Sequence, residues 1–383
     1  MQGEKYKHIC PLSNPPKIAI FVSFSGDGGV ERMIVNLVEG LLEKGAMVDM
    51  IPIKKHSPHL KSLSPLANMI ELGSSHTLTS LPGLIRYLKS KRPDALLAAK
   101  DRANKVAILA KMIARVPTRL VVRLGTTVSA SLYGQNPLKQ RIWYITMRML
   151  YPFADRIVAV SDGVKKDLIE ITGLTGNQVA VIPNPVISRR IFELSNTRVD
   201  HPWFNDDKIR VILGVGRLTR QKDFQTLIKA FARLRQRTEI PCKLIILGDG
   251  VLHRPLKSLA IELGLAEHID LPGYVENPWA YMRRASLFVL SSTWEGSPNA
   301  LTEALALGVP VIATDCPSGP REILKDGYYG TLVAVGNIGQ MADAMRTTLE
   351  NPPNPLRLKE AVSAYTVEAS SQRYLETLLG LNV

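Results

Sequence analysis

Short apolar, β-branched runs alternate along the chain with segments whose apolar residues recur every three or four positions. The runs read as strands buried on both faces and the helical segments as crossovers between them, which is the pattern of parallel-sheet α/β architecture. In the first half the predicted strands are KIAIFVSF (Lys17–Phe24), MVDMIPI (Met47–Ile53), DALLAA (Asp94–Ala99), RLVVRL (Arg119–Leu124), RIVAVS (Arg156–Ser161) and QVAVIP (Gln178–Pro183). Helical patterns separate most of them. In GVERMIVNLVEGLLEKG (Gly29–Gly45), for example, Met33, Leu37, Leu41 and Leu42 recur at helical spacing.

The series then restarts with KIRVILGVGRL (Lys208–Leu218), KLIILGDG (Lys243–Gly250), HIDLPGYV (His268–Val275), ASLFVLSS (Ala285–Ser292), VPVIAT (Val309–Thr314) and GTLVAV (Gly330–Val335). Between the two series the polar, Pro-bearing stretch Pro183–Asp207 reads as a hinge and a domain boundary. We expect two Rossmann-like, doubly wound domains facing a cleft, residues 1–190 and 191–365, with ligand at the carboxyl edges of their strands. A chain of 383 residues fits that division, since single cores stop growing at roughly 250–300 residues. Periodicity alone assigns the last helical segment, TVEASSQRYLETLLGL (Thr366–Leu381), to neither domain.

Composition narrows the class. With 45% hydrophobic and 21% charged residues the chain is a packed globular protein. No apolar run approaches the ~18 residues of a membrane span, and MQGEKYKHIC carries charges with no apolar stretch behind them, so we expect a cytoplasmic protein. Cys10, Cys242 and Cys316 are far apart and form no CxxC pair, which argues against a disulfide framework or a zinc cluster. Residues 1–190 hold 27 Lys/Arg against 13 Asp/Glu, whereas residues 191–383 hold 21 of each, so the first half carries the whole net charge of +14. That half suits an anionic partner: nucleic acid, a phosphorylated substrate or an acidic leaflet. A soluble basic surface is the plainer reading.

Four glycine-bearing turns are candidates for chemistry. SFSGDGGVER (Ser23–Arg32) follows a strand and opens a helix, so its N–H groups could hold an anion; it lacks dinucleotide GxGxxG spacing, and a tight turn needing glycine explains it as well. In GVGRLTRQKDFQTLIKAF (Gly214–Phe231) a strand ends at Gly214–Gly216 and a helix begins after Asp223, leaving Arg217, Arg220 and Lys222 on the connection. Arg217 as a fork and Lys222 as a point charge suit a diphosphate there; a solvated loop would carry the same residues. Gly248–Gly250 is a GDG turn that reads equally as a simple reversal.

The fourth turn lies in WEGSPNALTEA (Trp294–Ala304), where Ser297 is the expected N-cap and Pro298 the first helical residue. The N–H groups of Asn299, Ala300 and Leu301 then face outward for an anion, with Glu295 on the loop and Glu303 inside the helix, both able to accept from sugar hydroxyls. A metal pair is the competing functional reading, but neither DxD nor a His/carboxylate cluster sits nearby.

Taken together, GRLTRQKDF, the two glutamates of EGSPNALTE, the following ALALGVPVIATDCPSGPREIL (Ala304–Leu324) and GDGGVERMIVNL resemble glycosyltransferase family 4, retaining enzymes of GT-B fold. AVSDGVKKDL (Ala159–Leu168) and VIPNPV (Val181–Val186) resemble its interdomain region, so the likeness spans most of the chain. The resemblance implies sugar transfer from a UDP- or GDP-linked donor held mainly by the second domain, to a glycan acceptor that is lipid-linked or a lipopolysaccharide. It implies that Arg217 and Lys222, beside Gly216, bind the diphosphate, that Glu295 faces the donor sugar, and that the N–H groups of Asn299, Ala300 and Leu301 after Ser297 and Pro298 meet sugar or phosphate. Glu303 would bind the ribose, Val275 and Glu276 would lie beside the base, and Gly28 and Gly29 would let the first loop close over the phosphates. The final helix, 366–383, would return to the first domain.

No metal or other cofactor is expected, because fixed cations and helix N-termini can stabilise a leaving diphosphate. Many family members carry a first-domain histidine near the reacting carbon, whereas LAAKDRANK (Leu97–Lys105) has none; Asp101 is the nearest polar candidate, either touching the sugar or capping its helix. The basic segment LKQRIWYITMRML (Leu138–Leu150), with Trp143, Tyr144, Met147 and Met149, fits a core-facing helix somewhat better than a membrane face. The expected partners are therefore a nucleotide-sugar donor, a glycan or lipid-linked acceptor and the anionic inner face of the membrane, with the protein peripheral there. A nucleotide-sugar epimerase shares the architecture. A basic nucleic-acid-binding protein ranks below both, for want of an RNA-binding aromatic motif.

Overall fold

Thirteen strands form two separate, wholly parallel sheets in the computed structural model, which describes residues 14–24, 28–55 and 57–381. The first sheet comprises β1 (Lys17–Phe24), β2 (Met47–Lys55), β3 (Asn68–Met69), β4 (Ala95–Ala99), β5 (Arg119–Leu124), β6 (Arg156–Ala159) and β7 (Val179–Val181), in the order β3-β2-β1-β4-β5-β6-β7. The second comprises β8 (Arg210–Val215), β9 (Cys242–Leu247), β10 (Ile269–Gly273), β11 (Leu287–Leu290), β12 (Val311–Thr314) and β13 (Thr331–Val333), ordered β10-β9-β8-β11-β12-β13. Each winds outward in both directions from its first strand, so each has a switch point, between β1 and β4 and between β8 and β11.

The continuous apolar runs are explained by burial on two faces. In β1, Ala19 and Phe21 join one core layer while Ile18, Ile20, Val22 and Phe24 join the other; β4 divides likewise, Leu96 and Ala98 against Ala95, Leu97 and Ala99. The two-residue strand β3 has exposed side chains and no apolar run, which is why periodicity does not reveal it.

Two compact units result, residues 1–185 with 366–383, and residues 186–365. The stretch read as a hinge is mostly built into the second unit. It forms a helix, Arg189–Ser195, that buries Ile191, and a turn, Pro202–Phe204, whose Trp203 and Phe204 pack edge-on against His201. Burial of these apolar residues outweighs the local polar composition. The N–H groups of Val186 and Ile187 both donate to Tyr365 O at 3.0 Å, tying together the points where the chain enters and leaves this unit.

The terminal helix, Val367–Leu379, packs on the first sheet beside the helix Gly29–Glu43, with Tyr374, Leu375 and Leu378 in its core. Gly40 is required for that approach, since a Cβ there would sit 2.1 Å from Ser371 Oγ. Leu138–Leu150 departs from the core-facing reading. In the helix Pro137–Leu150 only Met147 is buried, with Trp143 and Tyr144 half-buried, while Met149 is exposed. At 100° per residue Met147 and Met149 point to opposite sides, so one helix serves both the core and the surface.

Candidate functional site

The switch point of the second sheet brings together residues far apart in sequence. After β8 the chain crosses Gly216 and Arg217 to Lys222; after β11 it passes Ser291 and Ser292 to Glu295. Lys222 Nζ lies 2.5 Å from Glu295 Oε1, an ion pair whose side chains are only 16% and 8% exposed. Ser292 Oγ donates to the same carboxylate oxygen at 2.7 Å, and Thr314 Oγ1 anchors Ser292 O at 2.5 Å. Ser291 Oγ donates to Lys222 O at 2.7 Å, Thr293 N to Gln221 O at 2.8 Å, and Gln221 Nε2 to Trp294 O at 3.0 Å. The two loops are thus clamped as one piece.

The GDG turn has a steric reason that sequence does not display. At Gly248, φ is +138°, and a Cβ would meet Gly216 O at 2.0 Å, so the turn after β9 lies directly on the loop that carries Arg217 and Lys222. Asp223 caps the following helix, Phe224–Arg235, with its side chain accepting from Thr226 N. Arg217 is exposed, and its guanidinium has no ion pair or hydrogen bond among the described residues.

The helix after the glutamate loop starts one residue later than expected. Pro298 is its N-cap, with extended φ −72° and ψ 103°, and the helix runs Asn299–Ala306. Ser297 therefore lies before the cap. The N–H of Leu301 donates to Pro298 O at 3.1 Å, which removes it from the set facing outward. The proline ring fixes φ but not ψ, and here the chain still needs an extended residue to turn in from Gly296. Gly319, at φ +96°, packs on this turn, and a Cβ would meet Pro298 Cδ at 2.7 Å. Ser318 Oγ donates to Gly296 O at 3.0 Å. Glu303 is buried within the helix, while Val275 is half-buried and Glu276 exposed after β10.

Cys316 is buried near the pair. Burial first, then the negative charge of Glu295, pushes its thiol up to about 12, and burial likewise raises Cys242. Because the thiolate is the reactive form, neither should be alkylated by iodoacetamide in the native chain at about pH 8, and both should label after denaturation. Peptide mass mapping checks this. Cys10 lies outside the described residues. Among those described, no group of three or more His, Cys, Asp or Glu side chains is arranged to hold a metal ion.

In the first unit, Gly28 is the N-cap of the helix that begins at Gly29; Ser25–Asp27 of the same turn lie outside the described residues. Asp101 does not cap its helix. It is the first helical residue, and Lys100 is the cap, at the uncommon φ of +77°. Asp101 Oδ1 accepts from Tyr151 OH at 2.8 Å and Oδ2 lies 3.0 Å from Lys105 Nζ. Burial and the Asp101 charge hold the Tyr151 hydroxyl well above its ordinary range, so it stays a donor. Sequence reading passed over Glu31 and Lys100, which meet at the β1/β4 switch point. Lys100 Nζ is 2.6 Å from Glu31 Oε1 and 2.7 Å from Ser23 O. Glu31 follows the paired glycines and Lys100 follows β4 directly, the two positions where a doubly wound sheet places such groups.

Two doubly wound parallel sheets in one chain make the GT-B architecture, and here the second carries a buried cation–carboxylate pair at its switch point. The family model described as Glycosyltransferase Family 4 matches residues 27–190, and that described as Glycosyl transferases group 1 matches residues 196–364. The chain is 33% identical over 347 residues to the N-acetylgalactosamine-N,N'-diacetylbacillosaminyl-diphospho-undecaprenol 4-alpha-N-acetylgalactosaminyltransferase of Campylobacter jejuni, covering 88% of this chain and 90% of that one. It is 26% identical to the lipopolysaccharide core biosynthesis glycosyltransferase LpsE of Rhizobium meliloti, over 93% and 97% of the two chains. Among solved structures, HepE of Anabaena in complex with UDP and glucose superposes with a TM-score of 0.76 at 20% identity, over 96% of this chain and 100% of that one. The chain belongs to glycosyltransferase family 4, and is a retaining glycosyltransferase that draws on a nucleotide-sugar donor.

Proposed function

We propose that the chain moves a sugar from a UDP- or GDP-linked donor to a glycan acceptor that is lipid-linked or part of a lipopolysaccharide, at the inner face of the membrane. The single observation that carries the donor half is the buried Lys222–Glu295 pair at the β8/β11 switch point, where open α/β sheets take their ligands. As the anomeric C–O bond breaks, negative charge grows on the departing diphosphate and positive charge on the sugar ring. Lys222, already fixed by Glu295 and by the Ser291 clamp, meets the first without reorganising, and exposed Arg217 closes on the same diphosphate as a fork. Glu295 faces the donor sugar, and Glu303 the ribose. The N–H groups of Asn299 and Ala300 at the helix start complete the donor site, with Gly28 and Gly29 of the first unit over the phosphates and Val275 and Glu276 beside the base. Asp101, held by Tyr151 and Lys105, is the first unit's candidate contact to the transferred sugar.

The acceptor class is supported by the relatives, one named for an undecaprenol diphosphate-linked glycan and one for lipopolysaccharide core biosynthesis. A thermal-shift panel of UDP- and GDP-sugars tests the donor. One base series should stabilise the chain by about 2.7 kcal/mol at a hundredfold excess over Kd, and release of that nucleoside diphosphate should depend on a glycan acceptor. Interconversion of the sugar without acceptor would assign an epimerase instead, and a panel with no shift would refute the donor site.

A further inference from the structure

Each sheet carries a lysine–glutamate pair at its switch point, and the proposed reaction uses only the second. In the second sheet Lys222 follows β8 and Glu295 follows β11; in the first, Glu31 lies in the helix after β1 and Lys100 directly follows β4. Glu31 is only 3% exposed. Lys100 Nζ lies 2.6 Å from Glu31 Oε1 and 2.7 Å from Ser23 O, so one ammonium joins the end of β1, the helix after it and the turn after β4. Room for the carboxylate depends on Gly28, where a Cβ would stand 3.0 Å from Glu31 Oε2.

The backbone of Lys100 singles this pair out. At φ +77° and ψ 135° it lies away from the left-handed helical basin, in a region that glycine alone occupies without strain. A pair that merely tied two segments together would do so equally well from a relaxed backbone, whereas stored strain gathers where a group must be aimed. The group aimed here is Asp101. It is the first residue of the helix Asp101–Ala114, so the bend at Lys100 sets where its carboxylate stands. That carboxylate is also clamped on both oxygens. Oδ1 accepts from the hydroxyl of fully buried Tyr151 at 2.8 Å, and the Tyr151 oxygen accepts in turn from Asn104 Nδ2 at 3.2 Å. Oδ2 lies 3.0 Å from Lys105 Nζ, an ammonium seated 4.2 Å from the centre of the Trp143 ring. A carboxylate held this way at the carboxyl edge of a doubly wound sheet is preorganised for a ligand.

We infer that Glu31 and Lys100 are positioning residues for the transfer: their ion pair holds the strained turn that aims Asp101 at the transferred sugar. This deepens the proposed reaction and rests on the assignment of Asp101 to that sugar, which the experiment tests separately.

The test is a kinetic double-mutant cycle on the full chain. Its probes are the UDP- or GDP-sugar that stabilises the chain in the thermal-shift panel and the glycan acceptor on which that donor releases nucleoside diphosphate. Asp101→Asn should lower kcat roughly 10²-fold, and Glu31→Gln about tenfold or more, with the donor KM of both near wild type because the second unit holds the donor. Glu31→Gln combined with Asp101→Asn should be no slower than Asp101→Asn alone, since the pair acts through that carboxylate. Lys100→Gly combined with Glu31→Gln removes both charges and the strain together. That variant should unfold close to the wild-type temperature and still lose about tenfold or more in kcat, a split that a structural support would not produce. Losses of Glu31→Gln and Asp101→Asn that multiply fully would overturn the inference, because the pair would then act elsewhere. So would wild-type kcat in the relaxed Lys100→Gly with Glu31→Gln variant, which would make the pair a structural tie; either result leaves the Asp101 assignment standing if Asp101→Asn is slow. Wild-type kcat in Asp101→Asn itself would refute that assignment and the inference with it.

Discussion

Lys222→Ala is expected to lower kcat by roughly 10²–10³-fold, the scale on which removal of one preorganised charge-stabilising group acts. It should also lower stability by about 3–5 kcal/mol, because it takes the cation from beside a buried carboxylate. Glu295→Gln should reduce turnover comparably, since the amide keeps the shape of the loop but holds the ammonium only by a weaker, neutral acceptor and offers the sugar no charged one. The two effects can be separated. Replacing both partners, Lys222→Met with Glu295→Gln, removes the two charges together and should restore most of the stability while kcat stays low. Steady-state kinetics with the donor found in the thermal-shift panel, together with urea unfolding of the same four proteins, measures both quantities. Recovery of turnover in the double variant, or near-wild-type kcat in either single one, would show that the pair is a structural clamp and not part of the reaction.

Deletion of the chain from Thr366 onward should have the largest effect on folding. Tyr374, Leu375 and Leu378 enter the core of the first unit, and burial of three such side chains supplies roughly 1.5–3 kcal/mol each, a large part of the 5–15 kcal/mol that holds a typical domain together. Basic side chains also tie the helix to the unit. Arg123, a fully buried guanidinium, donates to Tyr374 OH at 3.1 Å and to Asn184 Oδ1 at 2.6 Å; Arg119 Nε donates to Thr377 O at 3.1 Å, and Arg373 donates to Val181 O at 2.7 Å. We expect the truncated chain to lose the unfolding transition of the first unit and keep that of the second. Calorimetry distinguishes this from a uniform shift, and two intact transitions would contradict the assignment. Tyr374→Phe removes only the bond to Arg123 and should cost about 1.5–3 kcal/mol.

The strands were legible because a parallel strand buried on both faces must be apolar at consecutive positions, and twelve such runs stand out between helical patterns. The restart of the series at Lys208 signalled the second sheet, and Asp223 signalled the start of its first helix. The polar stretch from Pro183 contains the division between the units, at Pro185/Val186, but most of it packs into the second, since a few apolar residues such as Ile191 decide that and composition averages them away. Ser297 as a cap misled. Which residue turns into the helix depends on the backbone held against Gly319, more than twenty residues along the chain.

By itself, then, the sequence determined the two doubly wound sheets, their strands and the loops that carry Arg217, Lys222, Glu295 and the helix to Glu303. Those are consequences of local periodicity and of turn chemistry. Only the tertiary structure decided that Lys222 and Glu295, 73 residues apart, form one buried pair, that Gly248 must yield room to Gly216, that Lys100 meets Glu31, and that Met149 faces outward while Met147 faces the core. Each of these depends on which strand ends become neighbours or on which side of a helix meets a sheet. Sheet order and packing set that for the whole domain at once, and no window of neighbouring residues contains it.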